Sequence, residues 1–352
     1  MRAGHPTPID IGPVITARSA RVGWAIVSAC WDGGSGKAVF TAHVGLDATR
    51  PIQSLVGDCG SQGREGARMT VRSEVAARLT GRAVSGERQL SGDLAEVALD
   101  DGRAVVVKRS DAPGAARAEA AGLRWLAAAG CVRVPVVHGH EDGWLVMDRV
   151  PQGRPDGAAA VRFGRDLAAL HDAGAPAFGA APPGGPVDAY IGLAPMRNEP
   201  GTDWPRWYAG QRVLPYLRRA VDQGTLRSAE AAVVERLCER LPELAGPAEP
   251  PARLHGDLWS GNVLWAADGH VRLIDPAAHG GHRETDLAML RLFGCPHLER
   301  VLDGYQEVAP LADGWTGRVG VHQLFPLLVH AVLFGRGYAE QALSPARSAL
   351  TG

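Results

Sequence analysis

Three polar residues in the second half of the chain are spaced for group transfer. Asp257 stands five positions before Asn262 in Arg253-Leu-His-Gly-Asp-Leu-Trp-Ser-Gly-Asn-Val-Leu264, and Asp275 closes the run Val271-Arg-Leu-Ile-Asp275. Phosphoryl transfer to a hydroxyl needs such a set. One carboxylate accepts the proton of the attacking hydroxyl, while an amide and a second carboxylate hold Mg²⁺ against nucleotide phosphates. An alcohol is too weak an acid for a carboxylate to ionise in the ground state, so Asp257 would orient it and take its proton late.

The same chemistry needs a cation on the phosphates, so the elements that could carry one come next. Gln89–Leu99 and Arg103–Arg109 read as strands joined by Asp100-Asp-Gly102, a hairpin signal that puts Lys108 near a strand end. A lysine there is ordinarily just solvated. The helix expected over Ala115–Ala129, stopped by Gly130, carries one acid in its body, Glu119. A strand ending in Lys followed by a helix bearing Glu is the arrangement in which an ion pair orients a phosphate-binding lysine. Gly92, in Leu90-Ser-Gly-Asp-Leu94, is placed to cover phosphates, although Ser-Gly-Asp is as often a simple turn.

Upstream, Val71, Val75 and Leu79 form one helical face after Met69. Downstream, Val132–Val137 and Gly143–Met147 read as a second strand pair, and Asp148-Arg-Val-Pro-Gln-Gly-Arg-Pro155 as a hinge between lobes. In a nucleotide cleft the backbone of Asp148 to Val150 would face the base, with Met147 as an apolar wall or, equally, a core residue. The remainder is helical. Ala158–Asp172 ends in His171, read as a packing residue, and Ala229–Leu244 and Val321–Leu343 are amphipathic. The Gly/Pro-rich stretch Phe178–Pro200 holds Tyr190, and such long loops are commonly functional. Trp204 and Arg212 are pocket candidates, though aromatics at this spacing more often fill cores.

A chain of 352 residues suits two lobes, and a net charge of -1 with 45% hydrophobic residues gives no bulk attraction to nucleic acid or to an anionic membrane. Five scattered cysteines without a C-x-x-C pair argue against a disulfide framework or zinc site and for a reducing, cytoplasmic setting. No apolar run reaches the roughly 20 residues of a membrane span. Residues 1–68 lack sustained periodicity and are expected to be a disordered extension or an untranslated one. Arg64-Glu65-Gly66 can be encoded with a ribosome-binding GGAGG just ahead of Met69.

His255-Gly-Asp-Leu-Trp-Ser-Gly-Asn-Val-Leu264, Leu273-Ile-Asp-Pro-Ala277 and Gly281-His-Arg-Glu-Thr-Asp-Leu-Ala-Met289 closely resemble the fructosamine kinase (ketosamine-3-kinase) family, within the aminoglycoside phosphotransferase and choline kinase branch of the protein-kinase-like fold. Tyr190-Ile-Gly agrees, and the resemblance runs from about Met69 to the C-terminal region. It implies an α+β bilobal fold: an antiparallel sheet with a helix in residues 69–150 and a mostly helical lobe in 151–352. It also implies ATP and Mg²⁺ as cofactors and a sugar-amine acceptor, free or on glycated protein lysines, phosphorylated on a 3-hydroxyl of fructosamine or ribulosamine type. The alternatives are an aminoglycoside or aminoalcohol kinase and a nucleotide-binding pseudokinase. Carried over, Asp257 is the base, Asn262 and Asp275 bind metal, Lys108 holds phosphates and Glu119 orients it. Asp286 and His255 support the loop, and Trp259 walls the sugar site. Two departures stand out: the family's Gly/Ser-rich loop is short and acidic here at Ser91–Ala95, and His279-Gly-Gly281 replaces Tyr-Tyr-Gly.

Overall fold

The computed structural model describes residues 28–31, 38–41 and 69–351, and the chain divides into two compact units, Met1–Arg68 and Met69–Gly352. In the first, β1 (Ser28–Trp31) pairs antiparallel with β2 (Ala38–Thr41), Ser28 opposite Thr41. The expectation of disorder or non-translation otherwise falls outside the described residues.

The second unit opens with α1 (Val71–Thr80), whose first turn is capped by the Thr70 side chain accepting from Ser73 N–H. Val75 and Ala76 bury against the sheet, whereas Val71 is 60% exposed, so the expected three-residue apolar face narrows to Val75 and a half-buried Leu79. The sheet has five antiparallel strands in the order β3 (Val84–Gln89), β4 (Leu94–Leu99), β5 (Ala104–Arg109), β7 (Trp144–Asp148), β6 (Val137–Glu141). The single strand expected over Gln89–Leu99 is thus a hairpin, with residues 90–93 as its turn. β3 is an exposed edge without alternating burial, so its residues carry no strand period. Likewise 132–136 is irregular and the strand begins at Val137, which moves His138 to Glu141 from the expected turn into the sheet. One face of the sheet takes α1 and the other takes α2 (Ala115–Ala128).

The C-lobe is built on α3 (Gly157–Asp172), which packs against α8 (Leu298–Val308). Gly164 and Gly304 make that approach close: a Cβ on Gly164 would lie 2.0 Å from Val301 O, and one on Gly304 would lie 2.2 Å from Val161 O. The expected loop 178–200 contains a hairpin, β8 (Asp188–Ile191) and β9 (Ala194–Arg197). Then come α4 (Trp204–Trp207), a π turn over Tyr208–Val213, α5 (Leu214–Asp222) and α6 (Ser228–Leu244). Two short pairs carry the chemistry-bearing loop: β10 (Ala252–Leu254) with β13 (His279–Gly281), and β11 (Val263–Trp265) with β12 (Val271–Leu273). α7 (Glu284–Phe293), α8, α9 (Trp315–Phe334) and α10 (Arg336–Thr351) complete the lobe.

The helix expected over Val321–Leu343 is therefore two, broken at Gly335. α9 also corrects the expectation that no segment is long enough and apolar enough to span a membrane, because by length and composition it is. Its apolar residues have another destination here. Val321, Leu324, Phe325, Leu327 and Leu328 fill the largest core cluster, shared with α5, α6 and α10. Cys131, Cys238 and Cys295 are free thiols.

Candidate active site

The loop between β10 and β11 holds Asp257 and Asn262 at its two ends. Gly256 sits at φ 81° and a Cβ there would be 2.1 Å from Ala277 O, so the loop can press against the segment after Asp275 only with glycine at this position. His255 is fully buried and works as a splint: its Nε2–H donates to Ile274 O at 2.9 Å, while its Nδ1 accepts from Asp257 N–H at 3.2 Å. The Asn262 amide nitrogen donates to Asp257 O at 2.8 Å and to Asp257 Oδ2 at 3.1 Å. Ile274 N–H donates to Asn262 O, which brings Asp275 beside them in a left-handed conformation, φ 52°. An aspartate tolerates that region better than most residues.

Asp286, on the first turn of α7, reaches under this loop. Its Oδ2 accepts from His255 N–H at 2.8 Å and its Oδ1 from Gly256 N–H at 2.9 Å. His171, at the end of α3, meets Asp286 at 3.2 Å and the Tyr305 hydroxyl at 2.9 Å. Burial alone would raise the Asp286 carboxyl, but the hydrogen bonds and charge of its partners outweigh it and hold the group below the usual carboxylate range.

From the N-lobe, Lys108 on β5 lies between Leu94 and Leu145 in register and projects toward α2. Its Nζ is 2.8 Å from Glu119 Oε2 and 3.0 Å from Asp275 Oδ1. Burial opposes the ammonium charge, yet Asp275 and Glu119 outweigh it and push the Lys108 pKa up. The same contact reverses the effect of burial on Asp275 and holds that carboxyl low. Asp257 has no such cation in contact. Burial, and then the negative charge of Asp275, push it up to about 7.

Other expected site residues fall in different places. Gly92 is in the β3–β4 turn, where its carbonyl accepts from Arg72 Nη2 at 2.6 Å. Met147 is buried against α2. Asp148 N–H goes to Val136 O and Arg149 N–H to Ala104 O, while the Asp148 carboxylate meets His138 Nε2 at 2.7 Å. The Asp148 and Arg149 amides are thereby taken within the N-lobe, and of the stretch from Asp148 to Val150, whose backbone is expected to face the base, Val150 is the residue whose amide lies beyond these bonds. Tyr190 donates its hydroxyl to Pro113 O at 3.2 Å and lines a small cavity with Asn198 and Pro276–Ala278, beside α2.

Trp204 does not line the cleft, and Arg212 borders a small internal cavity with Trp207, His279 and Phe325 instead. Trp204 is 5% exposed and stacks on Tyr208 and His322. Arg212 is 1% exposed, lies 4.6 Å over the Trp207 ring, and donates to Arg197 O and Asn198 Oδ1. Both are core groups because the helical stretch that carries them is wrapped by α9. Trp204 belongs to a buried brace in which Arg318 forks Glu284 through Nη2 (2.5 Å) and Nε (3.0 Å). His282, Glu284 and His322 lie close enough to suggest a metal trio. However, Arg318 occupies both carboxylate oxygens, and the Glu284 amide takes the His282 Nδ1 lone pair at 3.2 Å. The cluster is a polar support for the start of α7.

Sequence reasoning missed the surroundings of Trp259. Its ring meets Phe293 edge-on at 6.2 Å, and Phe293 continues to His330 at 4.9 Å. No local pattern links these positions, which come from a loop and two helices.

A two-lobed fold with an antiparallel sheet, a Lys–Glu pair facing an Asp–Asn–Asp set, and a helical second lobe defines a kinase-like phosphotransferase. The chain belongs to the fructosamine kinase family, whose model matches residues 73–351. A solved Thermobifida fusca structure described as a fructosamine-3-kinase is 50% identical, covering 80% of this chain and 99% of that one, with a TM-score of 0.75. A Synechocystis protein named as a ketoamine kinase is 37% identical over 232 residues, 64% of this chain and 75% of the relative. The Arabidopsis chloroplastic protein-ribulosamine 3-kinase is 31% identical over 249 residues, 68% of this chain and 73% of that one. Membership makes the chain an ATP-using enzyme that phosphorylates a hydroxyl group.

Proposed function

We propose that this enzyme transfers the terminal phosphoryl group of ATP to the 3-hydroxyl of a ketoamine, of fructosamine or ribulosamine type, free or attached to a protein lysine. The observation that carries the reading is the facing of Lys108–Glu119 and Asp257–Asn262–Asp275 across one cleft. The names of its relatives support the acceptor class.

Asp257 is the base. At a pKa of about 7 its carboxylate is basic enough to accept a proton late in transfer and still ionised in a large share of molecules at neutral pH. Asn262 holds the Asp257 carboxylate in place, and Asp286 with His255 holds the loop backbone, so the acceptor hydroxyl meets an oriented base. Lys108 would bind nucleotide phosphates, with Glu119 fixing its position.

Asn262 and Asp275 fit Mg²⁺. Both offer hard oxygen donors, the Asn262 nitrogen is already engaged by the loop, and the Asp275 side chain is 41% exposed toward the cleft. When bound, the metal would neutralise charge on the phosphates. Incubation with ATP, Mg²⁺ and separate fructosamine, ribulosamine and aminoglycoside acceptors, read by mass shift of each, tests the reading. Phosphate on the aminoglycoside alone would overturn it.

A further inference from the structure

Helix α1 is tied to the N-lobe sheet at both of its edges and, between them, to the turn that is expected to cover nucleotide phosphates. It packs on the sheet face that carries Val97, Val105 and Val107. At the β3 edge Ser73 Oγ donates to Glu87 Oε2 at 2.6 Å, and the Thr70 hydroxyl donates to the same carboxylate. At the β6 edge Arg78 Nε donates to Glu141 Oε1 at 2.9 Å. From this strut Arg72 Nη2 donates to Gly92 O at 2.6 Å, in the turn between β3 and β4.

That turn has little else to fix it. Leu90, Ser91 and Gly92 are exposed, so none of them buries a side chain as an anchor. Leu90 and Ser91 N–H donate to Leu94 O, and Arg109 N–H donates to Asp93 O at 2.8 Å. Leu94 lies opposite Lys108 in the β4–β5 register, so Asp93 sits beside the lysine's end of β5. The peptide between Gly92 and Asp93 is trans, and in a planar trans peptide the C=O and N–H point to opposite sides. With the Gly92 carbonyl drawn to the α1 side, the Asp93 N–H turns to the other. Lys108 projects to that other side too, because side chains alternate along β5: Val105 and Val107 face α1, and Lys108 meets Glu119 of α2. Among the described residues no backbone acceptor takes the Asp93 N–H.

We propose that Arg72 is a positioning residue for nucleotide binding: by holding the Gly92 carbonyl, it presents the Asp93 N–H to a phosphate group of the nucleotide on the side where Lys108 lies. Backbone N–H groups aimed at one point make a ready site for a phosphate oxygen. The inference rests on the reading of Lys108 as the phosphate-binding group. It assigns to α1 the order that a short turn without a run of glycines does not supply for itself.

Calorimetry on the full chain, titrated separately with Mg·ATP and with adenosine, tests it. Arg72→Ala should weaken Mg·ATP binding roughly tenfold or more, the loss of a hydrogen bond to a charged group, and move adenosine affinity by less than about twofold. Arg72→Lys, which can still reach the carbonyl, should recover most of the loss. Asp93→Pro deletes the N–H itself and should weaken Mg·ATP by a similar factor. Adding Arg72→Ala to Asp93→Pro should then cost little more, because both remove one contact. Fully additive losses would mean that Arg72 acts through its charge alone, and equal weakening of Mg·ATP and adenosine would mean general damage to the lobe. Either result overturns the inference, as does native Mg·ATP affinity in Arg72→Ala. A native enzyme that binds adenosine as tightly as Mg·ATP, or binds neither, would overturn the phosphate reading of Lys108 as well.

Discussion

Lys108 and Asp275 touch across the two lobes, Nζ to Oδ1 at 3.0 Å. One comes from a sheet strand and the other from the segment after β12, so this contact and the Lys108–Glu119 pair close the cleft around the place where phosphates would sit. Lys108→Ala is therefore expected to lower kcat/KM for ATP at least roughly a hundredfold, about 2.7 kcal/mol of transition-state stabilisation. Glu119→Gln, which keeps the shape but loses the charge, should cost less. Steady-state kinetics at saturating acceptor distinguishes the two, and a Lys108→Ala enzyme with native kcat/KM would remove Lys108 from the site.

Asp257 should set the pH profile. The negative charge of Asp275 helps raise this carboxyl to about 7, and Mg²⁺ on Asp275 would offset that charge, so kcat/KM for the acceptor is expected to rise with pH on the acid side of 7 and level off above it. Asp257→Asn should reduce kcat by about 10² to 10⁴-fold while nucleotide binding, measured by calorimetry, persists.

The same carboxyl has a stability consequence of opposite sign. Its folded pKa lies above the ordinary 3.8, so between about pH 4 and 7 the folded state binds more protons than the unfolded one. From this group alone, stability is greatest at the acid end of that window and declines as pH rises through 7. Asp257→Asn should abolish that decline, so its Tm relative to the native enzyme should be higher at pH 8 than at pH 5 in the absence of nucleotide.

Asp286 is expected to act through the loop. Asp286→Ala leaves His255 and Gly256 N–H groups unpaired in the interior, a loss of about 3 kcal/mol or more. Chemical denaturation should report it as a fall in midpoint, and kcat should drop although Asp286 touches neither substrate.

The contact between α3 and α8 depends on glycine at both sides. Gly164→Ala would put a methyl into Val301 O, and a cost of about 1–3 kcal/mol is expected from overpacking, read by urea unfolding at constant m. Unchanged stability would mean that the helices can separate without loss.

Much of the site was legible because its parts are close in sequence. Asp257, Asn262 and Asp275 lie within one loop and the strand pair that follows, where chain geometry limits their separation. The hairpin at Asp100-Asp-Gly102 likewise set Lys108 near a strand end, and α2 brought Glu119 a few residues later. Trp204 and Arg212 were misplaced because an aromatic or guanidinium in a helix looks the same in sequence whether it faces a cleft or a neighbouring helix. Packing of α9 decided that. β3 was overlooked because an exposed edge strand buries nothing and so leaves no alternating pattern.

By itself the sequence determined the order and spacing of the candidate polar groups, which are properties of the chain. Only the tertiary structure decided which of them are paired, buried or braced. Asp286 reaches Gly256 from 30 residues away, and Phe293 meets Trp259 while His330 and Tyr338, from two further helices, meet Phe293. Such contacts depend on how whole elements bury their faces together, and no local spacing records the outcome.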